Sequence, residues 1–142
     1  MPKIIEDAIE LATEAHRDQK DKNGQPYIYH PIRVMLAVQS DYEKMVAIMH
    51  DIIEDTNWTL EDIAMEGFPN EVVKAVKAIT KKKNQPYDEY LEIVKANPIA
   101  RTIKIADVRD NASPMRLYML SPDTVIRLTK KYSMALKYLL EE

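Results

Sequence analysis

The chain contains three histidines, His16, His30 and His50, and His50 is followed directly by Asp51. Glu54 and Asp55 come one helical turn later. At about 100° per residue, a helix through this segment sets His50 beside Glu54 and Asp51 beside Asp55. Met45, Ile48, Met49, Ile52 and Ile53 fall on the opposite side. Three carboxylates beside one imidazole repel each other unless a cation sits among them, and a divalent metal would supply that charge. The alternative is the solvated face of an amphipathic helix, the usual fate of such a stripe. Against it stands the run Met45-Val46-Ala47-Ile48-Met49, apolar nearly all round, which predicts a central helix. Spacing alone leaves both readings open.

His30 stands in Tyr29-His30-Pro31, where a helix is expected to begin, and a local hydrogen bond at a helix start would account for it. Asp107 and Asn111 are four apart and share a helix face, where an ion pair would account for Asp107. His16 closes the first helix and is read as structural. The run Lys81-Lys82-Lys83 is read as a solvated loop, with Lys81 held out as a group that could reach a phosphate.

The elements that must position these residues read as helices. Ile4 to Arg17 is amphipathic, with Ile5, Ala8, Ile9, Ala12 and Ala15 near one face. Residues 18–29 form a polar loop broken by Gly24 and Pro26. A helix is expected from about Pro31, and another from a cap at Asp41 to about Asp55. Thr59 and Asp62 form a capping-box pattern. Further helices are predicted over Pro69–Thr80, 87–96, from Asn97-Pro98 to Asn111, and from Ser121-Pro122 to Leu140. No segment alternates with a period of two. The reading is an all-α, compact helical bundle of six to eight helices forming one domain over residues 1–142.

Bulk properties exclude several classes. Twenty basic residues against 23 acidic ones give a net charge of -3, so nothing calls for a nucleic-acid partner. No apolar stretch approaches the ~20 residues of a membrane span, and the N-terminus turns acidic too soon for a signal peptide. The absence of cysteine rules out disulfides and thiolate-bound zinc, and fits a cytoplasmic protein.

Taken in order, the strings are Ala15-His16, Gly24-Gln25-Pro26-Tyr27-Ile28-Tyr29-His30-Pro31, His50-Asp51-Ile52-Ile53-Glu54-Asp55-Thr56, and Lys104-Ile105-Ala106-Asp107 with Asn111. This order resembles the HD-domain metal-dependent phosphohydrolases, and more closely the RelA/SpoT-type alarmone hydrolase branch, from about residue 5 to 112. The resemblance implies an HD-type helical fold and His30, His50, Asp51 and Asp107 as ligands of a divalent metal, most often manganese. A mixed imidazole and carboxylate shell suits that ion better than a structural zinc. It implies Glu54 and Asp55 as catalytic carboxylates, and Lys22, Asn23 and Asn111 as contacts to the nucleotide. The family loop carries an arginine that helps hold the guanine base; Asp21 stands at that position here, so base recognition departs from the pattern.

The implied activity is removal of the 3′-pyrophosphate from a purine alarmone such as ppGpp, a nucleotide of the stringent response. An HD hydrolase acting on an adenine alarmone or a phosphorylated dinucleotide cofactor is the competing reading, and a non-catalytic nucleotide-binding sensor is another. With no synthetase domain after residue 112, the chain is expected to degrade and not make alarmones. The expected partner is a small purine nucleotide, with no nucleic acid and no membrane, whether the chain acts alone or as a homo-oligomer.

Overall fold

The computed structural model describes residues 2–142; Met1, the first residue of the expected 1–142 domain, lies outside them. Within these described residues ten helices run in order: α1 (Ile5–Ala15), α2 (Tyr29–Leu36), α3 (Asp41–Met49), α4 (Ile52–Asp55), α5 (Leu60–Met65), α6 (Asn70–Ile79), α7 (Tyr87–Ala96), α8 (Pro98–Asn111), α9 (Pro114–Leu117) and α10 (Pro122–Leu140). Among the described residues there is no strand, only an isolated bridge between Lys20 and Pro26. None of the helices is long and apolar enough to cross a membrane.

Local chemistry sets most of the boundaries. Asn97 accepts the Ala100 N–H ahead of Pro98, and Ser121 accepts the Thr124 N–H ahead of Pro122, so each proline falls where its missing N–H costs nothing. Thr59 and Asp62 form the expected reciprocal box. The cap of α3 is Ser40, not Asp41: its hydroxyl accepts the Glu43 N–H while Glu43 accepts the Ser40 N–H. A serine hydroxyl one residue earlier, with an acid three positions on, satisfies two orphan donors where Asp41 would satisfy one.

Helix α3 is the axis of the core. Met45, Val46, Ala47, Ile48 and Met49 are all buried, and α1, α2, α6 and α8 pack around it. That is what an all-round apolar helix predicts. The expected continuous helix from 41 to 55 is instead broken at His50 and Asp51, between α3 and α4. This break, together with the single turn α9 after Ser113-Pro114, raises the helix number above the six to eight expected.

Candidate metal centre and its flanking cavities

The break is what aims two adjacent side chains at one point. In an unbroken helix neighbours diverge by about 100°, and the Ala47 carbonyl would accept the Asp51 N–H. Here that carbonyl takes the Nδ1–H of His50 at 2.6 Å. His50 Nε2 is thereby directed to Asp107 Oδ1 and Asp51 Oδ2, both at 3.1 Å. From the first turn of α2, His30 Nε2 reaches Asp107 Oδ1 at 2.8 Å and Asp51 Oδ2 at 3.5 Å. Asp107 arrives from the middle of α8. One donor atom from each of His30, His50, Asp51 and Asp107 lies within 4.8 Å of all the others.

The protonation chemistry of this cluster calls for a cation. Both Nδ1 atoms are committed as donors: that of His50 to Ala47, and that of His30 to Asp110 Oδ2 at 2.6 Å. In the neutral rings Nε2 is therefore a bare lone pair. It would face carboxylate oxygens that only accept. Four converging acceptors are compatible with two added protons or one divalent ion. Burial alone would push the imidazoles down, but the Asp107 and Asp110 carboxylates hold His30 up and Asp51 and Asp107 hold His50 well up. Burial likewise favours neutral carboxyls, yet His50 holds Asp51 down, and Lys104 with His50 holds Asp107 well below the usual range. Two imidazole nitrogens and two carboxylate oxygens, each ring braced by an outer acceptor, are a donor set that fits a divalent metal.

The bracing groups include several that pattern reading misses. Asp110 links His30 to Arg33, which grips it through Nε at 2.8 Å and Nη2 at 3.1 Å. Burial works against this carboxylate, but His30 and Arg33 bring it down to about 2. Lys104 Nζ holds the far oxygen of Asp107 at 2.9 Å, leaving Oδ1 for the centre. The Tyr27 hydroxyl donates to Asp51 Oδ2 at 2.6 Å, and burial and Asp51 push that phenol far up, so it stays a donor. Lys104 and Asp110 sit three residues either side of Asp107, a helical spacing that could have flagged them.

Glu54 and Asp55, next in chain after the break, part company. Glu54 accepts the Lys81 backbone N–H and lines a cavity with Lys81, Lys104, Lys131, Tyr87 and Tyr90. Asp55 lines a second cavity with Lys20, Lys22, Asn23, Tyr27 and Arg116. Asn111 and Tyr132 line both, so the two cavities meet there. Asn111 also donates to Asp107 Oδ1 at 3.2 Å. Partial burial raises the Glu54 carboxyl, and burial with the Asp51 charge raises that of Asp55. A larger apolar groove of 490 Å³ runs between α7 and α10, but none of these carboxylates or imidazoles lines it.

The polar loop is more ordered than its composition suggests. Asp21 Oδ1 accepts the N–H of Asn23 at 2.8 Å and of Gln25 at 2.9 Å, an Asx turn closed by Gly24 at φ +79°. Asp21 is thus occupied in shaping the loop. Asn23 lines the cavity but spends its amide N–H on Met115 O at 3.0 Å, tying the loop to α9. His16 is buried at the end of α1, with Nδ1 on Gln19 Oε1 at 2.8 Å and Nε2 buried without a partner among the described residues.

Residues 8–117 match the HD domain family. The chain belongs to that family. Among curated relatives, this HD domain is 34% identical over 126 residues to a guanosine-3′,5′-bis(diphosphate) 3′-pyrophosphohydrolase of Aquifex aeolicus, covering 80% of the chain and 18% of the relative. It is 35% identical over 103 residues to the protein of the same description in Borreliella burgdorferi, covering 70% of the chain and 15% of the relative. It is 29% identical over 142 residues to the bifunctional (p)ppGpp synthase/hydrolase SpoT of Escherichia coli, covering 91% and 20%. The chain thus spans about a fifth or less of the length of these relatives. A solved structure of a metazoan ortholog of SpoT, described as hydrolysing ppGpp with a role in starvation responses, superimposes with a TM-score of 0.65 at 23% identity, over 95% of this HD domain and 92% of that chain. The all-α HD fold is therefore as expected.

Proposed function

We propose that this HD domain hydrolyses the 3′-pyrophosphate of a purine alarmone such as ppGpp, with His30, His50, Asp51 and Asp107 holding one divalent metal, manganese in the cell. The observation that carries the reading is the position of the four-acceptor cluster. Its Asp107 lines the lysine-rich cavity, and Tyr27 and Asn111, hydrogen-bonded to Asp51 and Asp107, line the second, an arrangement suited to a nucleotide with a reacting phosphate end and a separate base end. The names of the similar pyrophosphohydrolases supply the substrate class.

When bound, the metal would contribute Lewis-acid polarisation and acidification of water. Glu54 and Asp55 orient the attacking water and take its proton, and their raised carboxyls suit proton exchange nearer neutrality than an ordinary carboxylate. The water oxygen joins the phosphorus next to the ribose as the bond from that phosphorus to the 3′ oxygen breaks. The 3′ oxygen leaves as a hydroxyl after accepting a proton, and pyrophosphate departs. Lys81, Lys104 and Lys131 offset the charge of the departing pyrophosphate. Lys22, Asn23 and Asn111 contact the nucleotide.

The test is direct. Manganese-loaded protein is incubated with ppGpp, its adenine counterpart and a phosphorylated dinucleotide, and products are separated by chromatography. Release of pyrophosphate with guanosine diphosphate is expected. Loss of a single phosphate, or no turnover of any of the three, overturns the reading.

A further inference from the structure

The two cavities differ in chemistry. The one beside Glu54 gathers three lysines, a setting for phosphates. The one beside Asp55 adds Leu117, Leu120 and Leu128 to Tyr27 and Tyr132, apolar walls suited to the faces of a base. Projecting among those walls is Arg116, from α9. Its side chain keeps 17% of its exposure, and its guanidinium lies 5.9 Å from the centre of the Tyr27 ring. Arg17, Arg33 and Arg101 are paired, with Glu14, with Asp110, and with the Leu139 and Glu141 carbonyls, while Arg109 and Arg127 are exposed to solvent. Among the described residues the Arg116 guanidinium makes no hydrogen bond; its nearest carboxylate oxygen, on Asp110, is 3.9 Å away, and its Nη1 is buried without a partner. An arginine so largely buried, with a donor fork unmatched, is an arrangement that native interiors rarely keep without a ligand.

The backbone that carries Arg116 is tied to the polar loop. Asn23 Nδ2 binds Met115 O at 3.0 Å and Arg116 O at 3.5 Å, so the loop and α9 move as one wall. Asp21, another charged group lining this cavity, has Oδ1 committed to the loop backbone.

We propose that Arg116 is the residue that selects the base, and that it selects guanine; this rests on the reading of the chain as a purine-nucleotide hydrolase. A guanidinium presents parallel N–H donors, which match the O6 and N7 acceptors on one edge of guanine. The same edge of adenine offers N7 beside an amino group, so one donor faces another. Arg116 touches no reacting atom in this assignment and acts on binding.

The experiment measures binding of guanosine diphosphate and adenosine diphosphate to the manganese-loaded protein by calorimetry, for wild type, Arg116→Lys and Arg116→Ala. Wild type is expected to favour the guanine nucleotide by about tenfold or more, in the range of a bidentate guanine contact. Both substitutions are expected to bring the ratio within about twofold, chiefly by weakening the guanine nucleotide. The lysine variant keeps the charge and serves alone if the alanine variant does not fold. A ratio that survives both changes, or equal weakening of both nucleotides, overturns the assignment, because a structural strut under Tyr27 would affect both bases alike. Hydrolysis of ppGpp is measured in parallel. Turnover with an unchanged base ratio removes only the role of Arg116. A ratio that collapses on substitution in a protein without turnover keeps that role and removes the proposed reaction.

Discussion

Replacing Asp110 by Asn keeps its shape, removes its charge and leaves at least one of the donors it serves without an acceptor. The carboxylate serves two donors at once: His30 Nδ1 at 2.6 Å and the Arg33 fork at 2.8 and 3.1 Å. A carboxamide has one accepting oxygen. If that oxygen stays with His30, the amide N–H₂ points at Arg33, donor against donor. If it turns to Arg33, the N–H₂ points at the His30 Nδ1–H. The first arrangement loses the Arg33 Nε bond and the second loses the His30 and Arg33 Nη2 bonds, each charge-assisted and worth about 1.5–3 kcal/mol. In the first arrangement the brace that fixes the His30 tautomer and ring angle loses its charge, and in the second it is lost altogether. Removing an outer partner of this kind costs typically about 10–100-fold in metal affinity. We expect manganese affinity in Asp110→Asn to fall within that range, while Arg33→Ala, which leaves Asp110 on His30, falls by less. Titration calorimetry of the metal-free proteins reads the affinity, and thermal melts show that each variant folds. A correctly folded Asp110→Asn protein binding manganese within about twofold of wild type would refute the bracing role.

Three further outcomes are expected. Glu54→Gln should lower turnover by about 10²–10⁴-fold with metal content unchanged, measured by pyrophosphate release and metal analysis, since it removes a positioned base without touching the four converging donors. Metal affinity should rise with pH, because the carboxylates hold the metal-free imidazoles of His30 and His50 above the ordinary range, so protons must leave before an ion enters. By the same sign, the raised imidazoles stabilise the metal-free fold fully below about pH 6.5, and that contribution is lost as pH climbs through their raised values. Calorimetry in buffers of different ionisation enthalpy should detect proton release on binding near neutral pH, and metal-free melts should fall as pH rises above that point; a release of zero contradicts both. Asp21→Ala and Asp21→Arg should each cost about 0.5–2 kcal/mol in thermal or urea unfolding, as loss of a side-chain cap does, with the guanine-to-adenine ratio unmoved; Asp21→Asn should be spared.

Helix starts are legible where a chemical signal lies within four residues, as Asn97-Pro98 and Ser121-Pro122 illustrate. The central place of α3 is legible from its unbroken apolar run. The interruption at His50 is not, because the hydrophobic spacing of Ile48, Met49, Ile52 and Ile53 continues straight through it. What breaks the ladder is a side-chain nitrogen competing for a backbone carbonyl, a contact that periodicity does not encode. The four converging donors can be named from the order of motifs. Their braces are only hinted at: the three-residue spacing of Lys104 and Asp110 about Asp107 places them beside it, but they look like the charged face of any helix until Asp107 is known to be buried between them. Asp21 carries a second role that comparison with a family position does not show: its Oδ1 accepts the N–H groups of Asn23 and Gln25, two and four residues away, and shapes the loop.

The converging donors come from three places in the chain, and His30 and Asp107 are 77 residues apart. No two of the three segments form the centre by themselves. During folding, the loops that join them must close before any ion finds more than a fragment of its shell, so a metal cannot nucleate this fold as it does in a zinc finger. It can only trap the finished one. Ion capture should then lag chain collapse in a refolding experiment, appearing with the slowest packing step of α8 on α3. Once captured, the ion should slow unfolding far more than it speeds folding, as an interaction absent from the transition state does.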